Sequence, residues 1–176
     1  MHTRRWLLTL ILVAGGLYCQ TLEAQTLHAL LVIEDGYDDP ALNSIAPSTR
    51  MDYGYVSKLL DTLDKKGVIG VDKTLLSGPD ATRENVMALI EEAATGPDDV
   101  LLFYFSGHGG MEGNEVFLAT SMGGALYRET VQELVESKNA RLKIVMSDAC
   151  SSSIDGIGPK STYKAGDAGD LQSQYL

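Results

Sequence analysis

Three short apolar runs, each ending abruptly at polar or glycine-rich residues, constrain this chain more than any other feature. They are residues 27–33 (LHALLVI), 98–105 (DDVLLFYF, after its leading aspartates) and 142–146 (LKIVM). A strand that shows no polar–apolar alternation is buried on both sides, the situation of a parallel sheet covered by helices. Helical spacing fills the segments between them. Residues 50–66, capped by Ser48 or Thr49 and stopped by Gly67, set Met51, Tyr55, Leu59 and Leu63 along one face as the expected buried stripe. Residues 83–94, capped by Thr82, turn Val86, Leu89, Ile90 and Ala93 inward, and residues 127–137 do so with Val131, Leu134 and Val135. Further strands are expected over 68–76 and, shorter, over 115–119. Strand and helix alternate, so the expected fold is α/β, a three-layer sandwich with a mainly parallel central sheet. In such sheets chemistry collects at the carboxyl ends of the strands.

The length of 176 residues suits one domain, and a 44% hydrophobic, 22% charged composition is ordinary for a chain with a real core. Residues 1–24 stand apart from that core. His2, Arg4 and Arg5 precede an apolar run over 6–18, then a polar stretch and Leu22-Glu23-Ala24, the layout of a secretory signal peptide. The apolar run is shorter than the roughly 20 residues a spanning helix needs. Export to the periplasm or the extracellular space is therefore expected, with the mature chain beginning at Gln25. Of the two cysteines, Cys19 leaves with that segment, so Cys150 becomes the one mature thiol. It can pair with another chain, lie inert in the core, or react. The net charge of -10 excludes nucleic acid as an expected partner, since phosphates demand a basic footprint.

Two of the apolar runs end in chemically suggestive segments: Ser106-Gly107-His108-Gly109-Gly110 and Ser147-Asp148-Ala149-Cys150. If the two strands are neighbours, His108 and Cys150 meet at one sheet edge. An imidazole there can take the thiol proton, orient the sulfur and later protonate a leaving amine. Gly109 lets the backbone approach a substrate closely and aim its N–H at a developing oxyanion, with the Cys150 N–H as the second donor. Taken singly, His108 also reads as a capped or solvated residue and Cys150 as inert core. Zinc is disfavoured, because Cys150, His28 and His108 lack ligand spacing. A hydrolase using Ser151–Ser153 lacks the nucleophile-elbow pattern.

LLFYFSGHGG followed by LKIVMSDAC resembles the caspase-like cysteine peptidases, particularly bacterial and metacaspase-type members of the C14 peptidases. The separation of histidine and cysteine is close to the roughly 50 residues of caspases. The resemblance implies the large-subunit portion of a caspase-like fold, with His108 as base, Cys150 as nucleophile, and Gly109 with Cys150 as oxyanion donors. It implies that Asp148, and with it Asp52, bind the substrate by lining a pocket for arginine or lysine. Members usually continue Cys-His-Ser-Gly, where this chain has Cys150-Ser151-Ser152-Ser153. The chemistry requires no cofactor. Calcium, which some members bind, finds no matching acidic set, Glu112 and Glu115 being too few.

The expected organisation is a signal peptide over 1–24, the catalytic domain over 25–155, and a linker or the truncated start of a second subdomain over 156–176. Family members carry such a subdomain to finish the sheet and cleft, so a second subdomain or a partner chain is expected, and Lys160 and Lys164 lie where such enzymes are cleaved between subunits. The activity implied is a cysteine endopeptidase acting on protein or peptide substrates after Arg or Lys. The rival reading is a non-catalytic caspase-like adaptor or an inactive fragment.

Overall fold

A computed structural model describes residues 25–37 and 42–150; the expected signal peptide, the Ser151–Ser153 run, Lys160, Lys164 and the linker segment lie outside the described residues. Four parallel strands form the main sheet: β1 (Thr26–Ile33), β2 (Gly70–Ser77), β3 (Val100–Ser106) and β7 (Leu142–Asp148), in the order β2-β1-β3-β7. A second, antiparallel sheet carries β4 (Gly109–Glu112), β5 (Glu115–Thr120) and β6 (Gly124–Tyr127). Only its middle strand had a sequence signal, because β4 and β6 have four residues each and too little apolar pattern to register.

Every residue of β3 is buried, as its unbroken apolar run requires. Its side chains alternate between two cores. Leu101, Phe103 and Phe105 join Val86 and Ile90 of α2 (Arg83–Glu92) and Val131 and Val135 of α3 (Arg128–Glu136) on one face. Val100, Leu102 and Tyr104 join Leu60 of α1 (Ala46–Lys65) on the other. The expected three layers are therefore present. The Thr82 side chain caps α2 as the sequence implies, accepting a hydrogen bond from the Asn85 N–H.

Two expectations are corrected. First, α1 begins four residues early, at Ala46, with Pro47 in its first turn and no side-chain cap. Neither Ser48 nor Thr49 caps it; the Thr49 hydroxyl instead donates back to the Ala46 carbonyl. Its expected stripe faces outward: Met51, Tyr55 and Leu59 are 59%, 67% and 59% exposed, whereas Leu60 is 2% exposed. Thr49, Tyr53, Val56 and Leu60 form the inner face instead. Second, β7, read as buried on both sides, is the end strand of the described sheet, with Leu142, Val145 and Met146 exposed.

At the amino-terminal end of the sheet, Asp99 accepts hydrogen bonds from the Thr26 and Gly96 N–H groups. The Gly96 and then the Thr26 N–H hold its carboxyl below the usual carboxylate range. His28 lies against Asp99 and Asp72 here. His28 therefore stands at the opposite end of the strands from His108. Among the described residues no helix is long and apolar enough to cross a membrane.

The reassigned α1 face gives a direct test. Leu60→Ala is expected to cost about 2–5 kcal/mol by cavity formation. Tyr55→Ala is expected to stay within about 0.5 kcal/mol. Urea denaturation of the two variants measures both.

Candidate active site

The pairing of β3 with β7 sets up the site. Phe105 is in register with Ser147 and Ser106 with Asp148, and the Gly107 N–H continues the ladder by donating to the Asp148 carbonyl at 3.2 Å. The two suggestive segments thus leave the sheet side by side. Gly109 then passes directly against the cysteine segment. A Cβ placed on it would lie 2.7 Å from the Cys150 carbonyl oxygen, 2.8 Å from that of Phe117 and 3.1 Å from the Ala149 Cβ. Only glycine fits there. Gly107 is equally confined: a Cβ on it would meet the Phe105 ring and the Tyr37 hydroxyl, each at 2.9 Å.

His108 is half-buried, and three neighbours fix it. Its N–H donates to the Tyr37 hydroxyl at 2.7 Å, and its carbonyl accepts from the Ala119 N–H at 2.9 Å. The Tyr37 hydroxyl donates in turn to the Ala119 carbonyl at 3.2 Å, so it is inserted into the ladder between residues 108 and 119. The Tyr37 ring lies 5.3 Å from the imidazole, tilted by 50°. Finally, Nε2 of the imidazole is 3.0 Å from the Leu42 carbonyl oxygen. A carbonyl only accepts, so Nε2 carries the proton, and in the neutral ring Nδ1 keeps its lone pair. Burial pushes the His108 pKa below 6.5, the Leu42 carbonyl acting weakly the other way. The neutral, proton-accepting ring is favoured.

The ladder also decides where Gly109 points. Residues 108 and 119 form a hydrogen-bonded position, so the next pair, Gly109 with Leu118, is a non-hydrogen-bonded one. The Gly109 N–H consequently faces away from β5, toward the open edge of β4.

Asp52 and Asp148 come to this same end of the sheet. The Ser106 hydroxyl donates to Asp52 Oδ2 at 2.7 Å, and Ser106 is the register partner of Asp148. Asp52 sits in the second turn of α1, half-buried. Both carboxylates act on Tyr104, whose pKa is pushed up to about 12, first by burial and then by the charges of Asp52 and Asp148. Glu112, one of the acids considered for calcium, accepts from the Tyr127 hydroxyl. Among the described residues no group of three or more metal-ligating side chains is close enough to hold a metal.

Tyr37, Leu42, Ser106 and Arg128 were not anticipated. The Arg128 guanidinium donates from Nη2 to the Ala149 carbonyl at 3.1 Å. Ser106 had a signal, since it opens the SGHGG segment. Leu42 had none, because its contribution is a backbone carbonyl.

Gly109→Ala is expected to cost about 1–3 kcal/mol, the range for forcing atoms into a packed site. Gly54→Ala in α1, where a Cβ meets nothing within 4 Å, is expected to gain roughly 0.5–1 kcal/mol from helix propensity. Denaturation midpoints compare the two. The His108 environment predicts a pH effect with a definite sign. As pH falls below about 6.5 the unfolded chain binds the proton first, so stability falls until the folded-state pKa is passed. His108→Gln is expected to flatten that part of a stability–pH curve measured by chemical denaturation.

The comparison with known families agrees with this architecture. The caspase domain of the C14 peptidases matches residues 29–174. No curated protein matches the chain. The matched span runs from within β1 past β7 and takes in both strand-end segments, and the chain belongs to the caspase-domain family of C14 peptidases.

Proposed function

We propose that the chain is a cysteine endopeptidase in which Cys150 is the nucleophile and His108 the base. The observation that carries this is the backbone approach of Gly109 to Cys150, 2.7 Å from a would-be Cβ to the cysteine carbonyl, beside an imidazole whose Nδ1 is left free to accept. Nδ1 takes the thiol proton, and the sulfur adds to the scissile carbonyl carbon as the π pair moves to oxygen. The Gly109 N–H, facing the open edge of its strand, and the Cys150 N–H receive that oxyanion. Collapse restores the carbonyl and breaks the C–N bond, the amine leaving with the proton from His108. A water molecule, activated by the same nitrogen, then hydrolyses the thioester and frees the thiol.

Asp52 and Asp148 serve as the carboxylates that receive an arginine or lysine side chain before the scissile bond. A guanidinium or ammonium group satisfies both their charge and their lone pairs. The substrate cleft is completed by a second subdomain or partner chain that adds to β7. An end strand showing Leu142, Val145 and Met146 to solvent is an unprotected edge of the kind that pairs with another strand. Export through residues 1–24 places the activity outside the cytoplasm. The same exposed edge favours the second reading, a caspase-like adaptor that docks through β7 without hydrolysis.

Labelling of the full-length protein with an electrophilic arginyl peptide separates the two. Labelling is expected in the wild type and lost in Cys150→Ala and His108→Ala; absence of Cys150-dependent labelling overturns the peptidase in favour of the adaptor. Arginyl reporters are expected to be cleaved in preference to aspartyl ones. Loss of one charge-assisted contact, worth roughly 1.5–3 kcal/mol, predicts an about ten- to hundredfold fall in kcat/KM for the arginyl reporter in Asp148→Asn.

A further inference from the structure

Arg128 is the first residue of α3, where an arginine ordinarily reaches into solvent. Here it turns inward. Its Nη2 donates to the Ala149 carbonyl at 3.1 Å, while its Nε is shut off from solvent without a hydrogen-bond partner among the described residues. Leaving a guanidinium N–H unpaired and dry is costly. The conformation is kept because the group is committed to one backbone oxygen, that of the residue preceding Cys150.

The chemistry of the peptide unit gives that contact a consequence. The Ala149 carbonyl and the Cys150 N–H belong to one planar unit, and in a trans peptide they point in opposite directions. Fixing the oxygen therefore fixes the N–H. A cation on the oxygen also draws electron density from the nitrogen, which makes the N–H a stronger donor. The next peptide unit is confined too, since the Cys150 carbonyl lies against Gly109. Cys150 is thus held from both sides, by a charge before it and by a close backbone contact after it.

We propose that Arg128 is a positioning residue for the oxyanion site: by anchoring the Ala149 carbonyl it aims and polarises the Cys150 N–H. The inference rests on the peptidase reading above, with the Cys150 N–H as one oxyanion donor. Arg128 touches no substrate atom; it acts through the peptide unit. A lysine at this position keeps the charge but presents it as a point and not as a planar fork, so it is expected to substitute in part.

Two reactions of the same sulfur test this in the full-length protein. Hydrolysis of an arginyl amide reporter passes through an oxyanion. Alkylation of Cys150 by iodoacetamide is a displacement at a saturated carbon: a C–S bond forms, iodide leaves, and no oxyanion develops. Arg128→Ala is expected to lower kcat roughly ten- to hundredfold, less than outright loss of an oxyanion donor, with KM little changed and the alkylation rate retained. Arg128→Lys is expected to fall between. An equal fall in both rates would show a merely disordered loop and overturn the proposal, as would an unchanged kcat. The amide proton resonance of Cys150 gives a readout that needs no activity, and it is expected to move upfield in Arg128→Ala; an unmoved resonance overturns the anchoring. If the wild type neither hydrolyses the reporter nor takes the peptide label, the peptidase reading fails, and the resonance still decides the anchoring by itself.

Discussion

The parallel pairing of β3 with β7 is the constraint on which the rest depends. Parallel strands end on the same side of a sheet, so the segments that follow them begin as neighbours. Here Ser106 is level with Asp148, and the ladder runs one hydrogen bond further to Gly107. The histidine and cysteine segments are thereby juxtaposed before any of their side chains interact. What secures β3 is burial on both faces, with Phe103 and Phe105 in one core and Leu102 and Tyr104 in the other. Each large apolar side chain so buried contributes about 1.5–3 kcal/mol. The hydrophobic pattern that identifies the strand thus also fixes the site's geometry.

Backbone groups do most of the local positioning. The His108 ring takes its tautomer from the Leu42 carbonyl, and its main chain is held by a tyrosine hydroxyl inserted between two strands. Leu42 lies in the 3-10 turn Leu42–Ile45, which runs straight into α1. The segment leading into that helix is therefore coupled to the imidazole. The buried Thr49 and Leu60 seat α1 on the sheet, so packing on the α1 face bears on the protonation geometry at the strand end.

β1 and β3 were legible because burial on both faces leaves an unmistakable run, and α2 because Thr82, Val86 and Ile90 follow a cap-and-stripe pattern. The face of α1 was misread for a geometric reason. Met51, Tyr55, Leu59 and Leu63 recur every four residues, and a row of that spacing drifts around a helix of 3.6 residues per turn. The row starts on the solvent side, where Met51, Tyr55 and Leu59 are exposed, and its drift brings only Leu63 to half-burial, while the less conspicuous Thr49, Tyr53, Val56 and Leu60 keep to the sheet-facing side. At the site, His108, Gly109, Asp148 and Cys150 carry sequence signals of their own. Leu42 does not, because any residue supplies a carbonyl, and Arg128 at a helix start reads as a solvated charge.

The acidic end of the sheet has its own electrostatic logic. Asp52 and Asp148 come from elements far apart in sequence, yet both raise the pKa of the buried Tyr104 hydroxyl. Among the described residues neither forms an ion pair. Two carboxylate charges near a buried phenol disfavour its ionisation, so the Tyr104 hydroxyl keeps its proton. The Ser106 hydroxyl donates to Asp52 and brings no positive charge. Under the proposed function, a cationic side chain arriving at the strand ends brings both charge and donors to this pair, whereas an acidic one adds a further negative charge. The proposed preference for a basic side chain thus draws on the same edge where Gly109 meets Cys150.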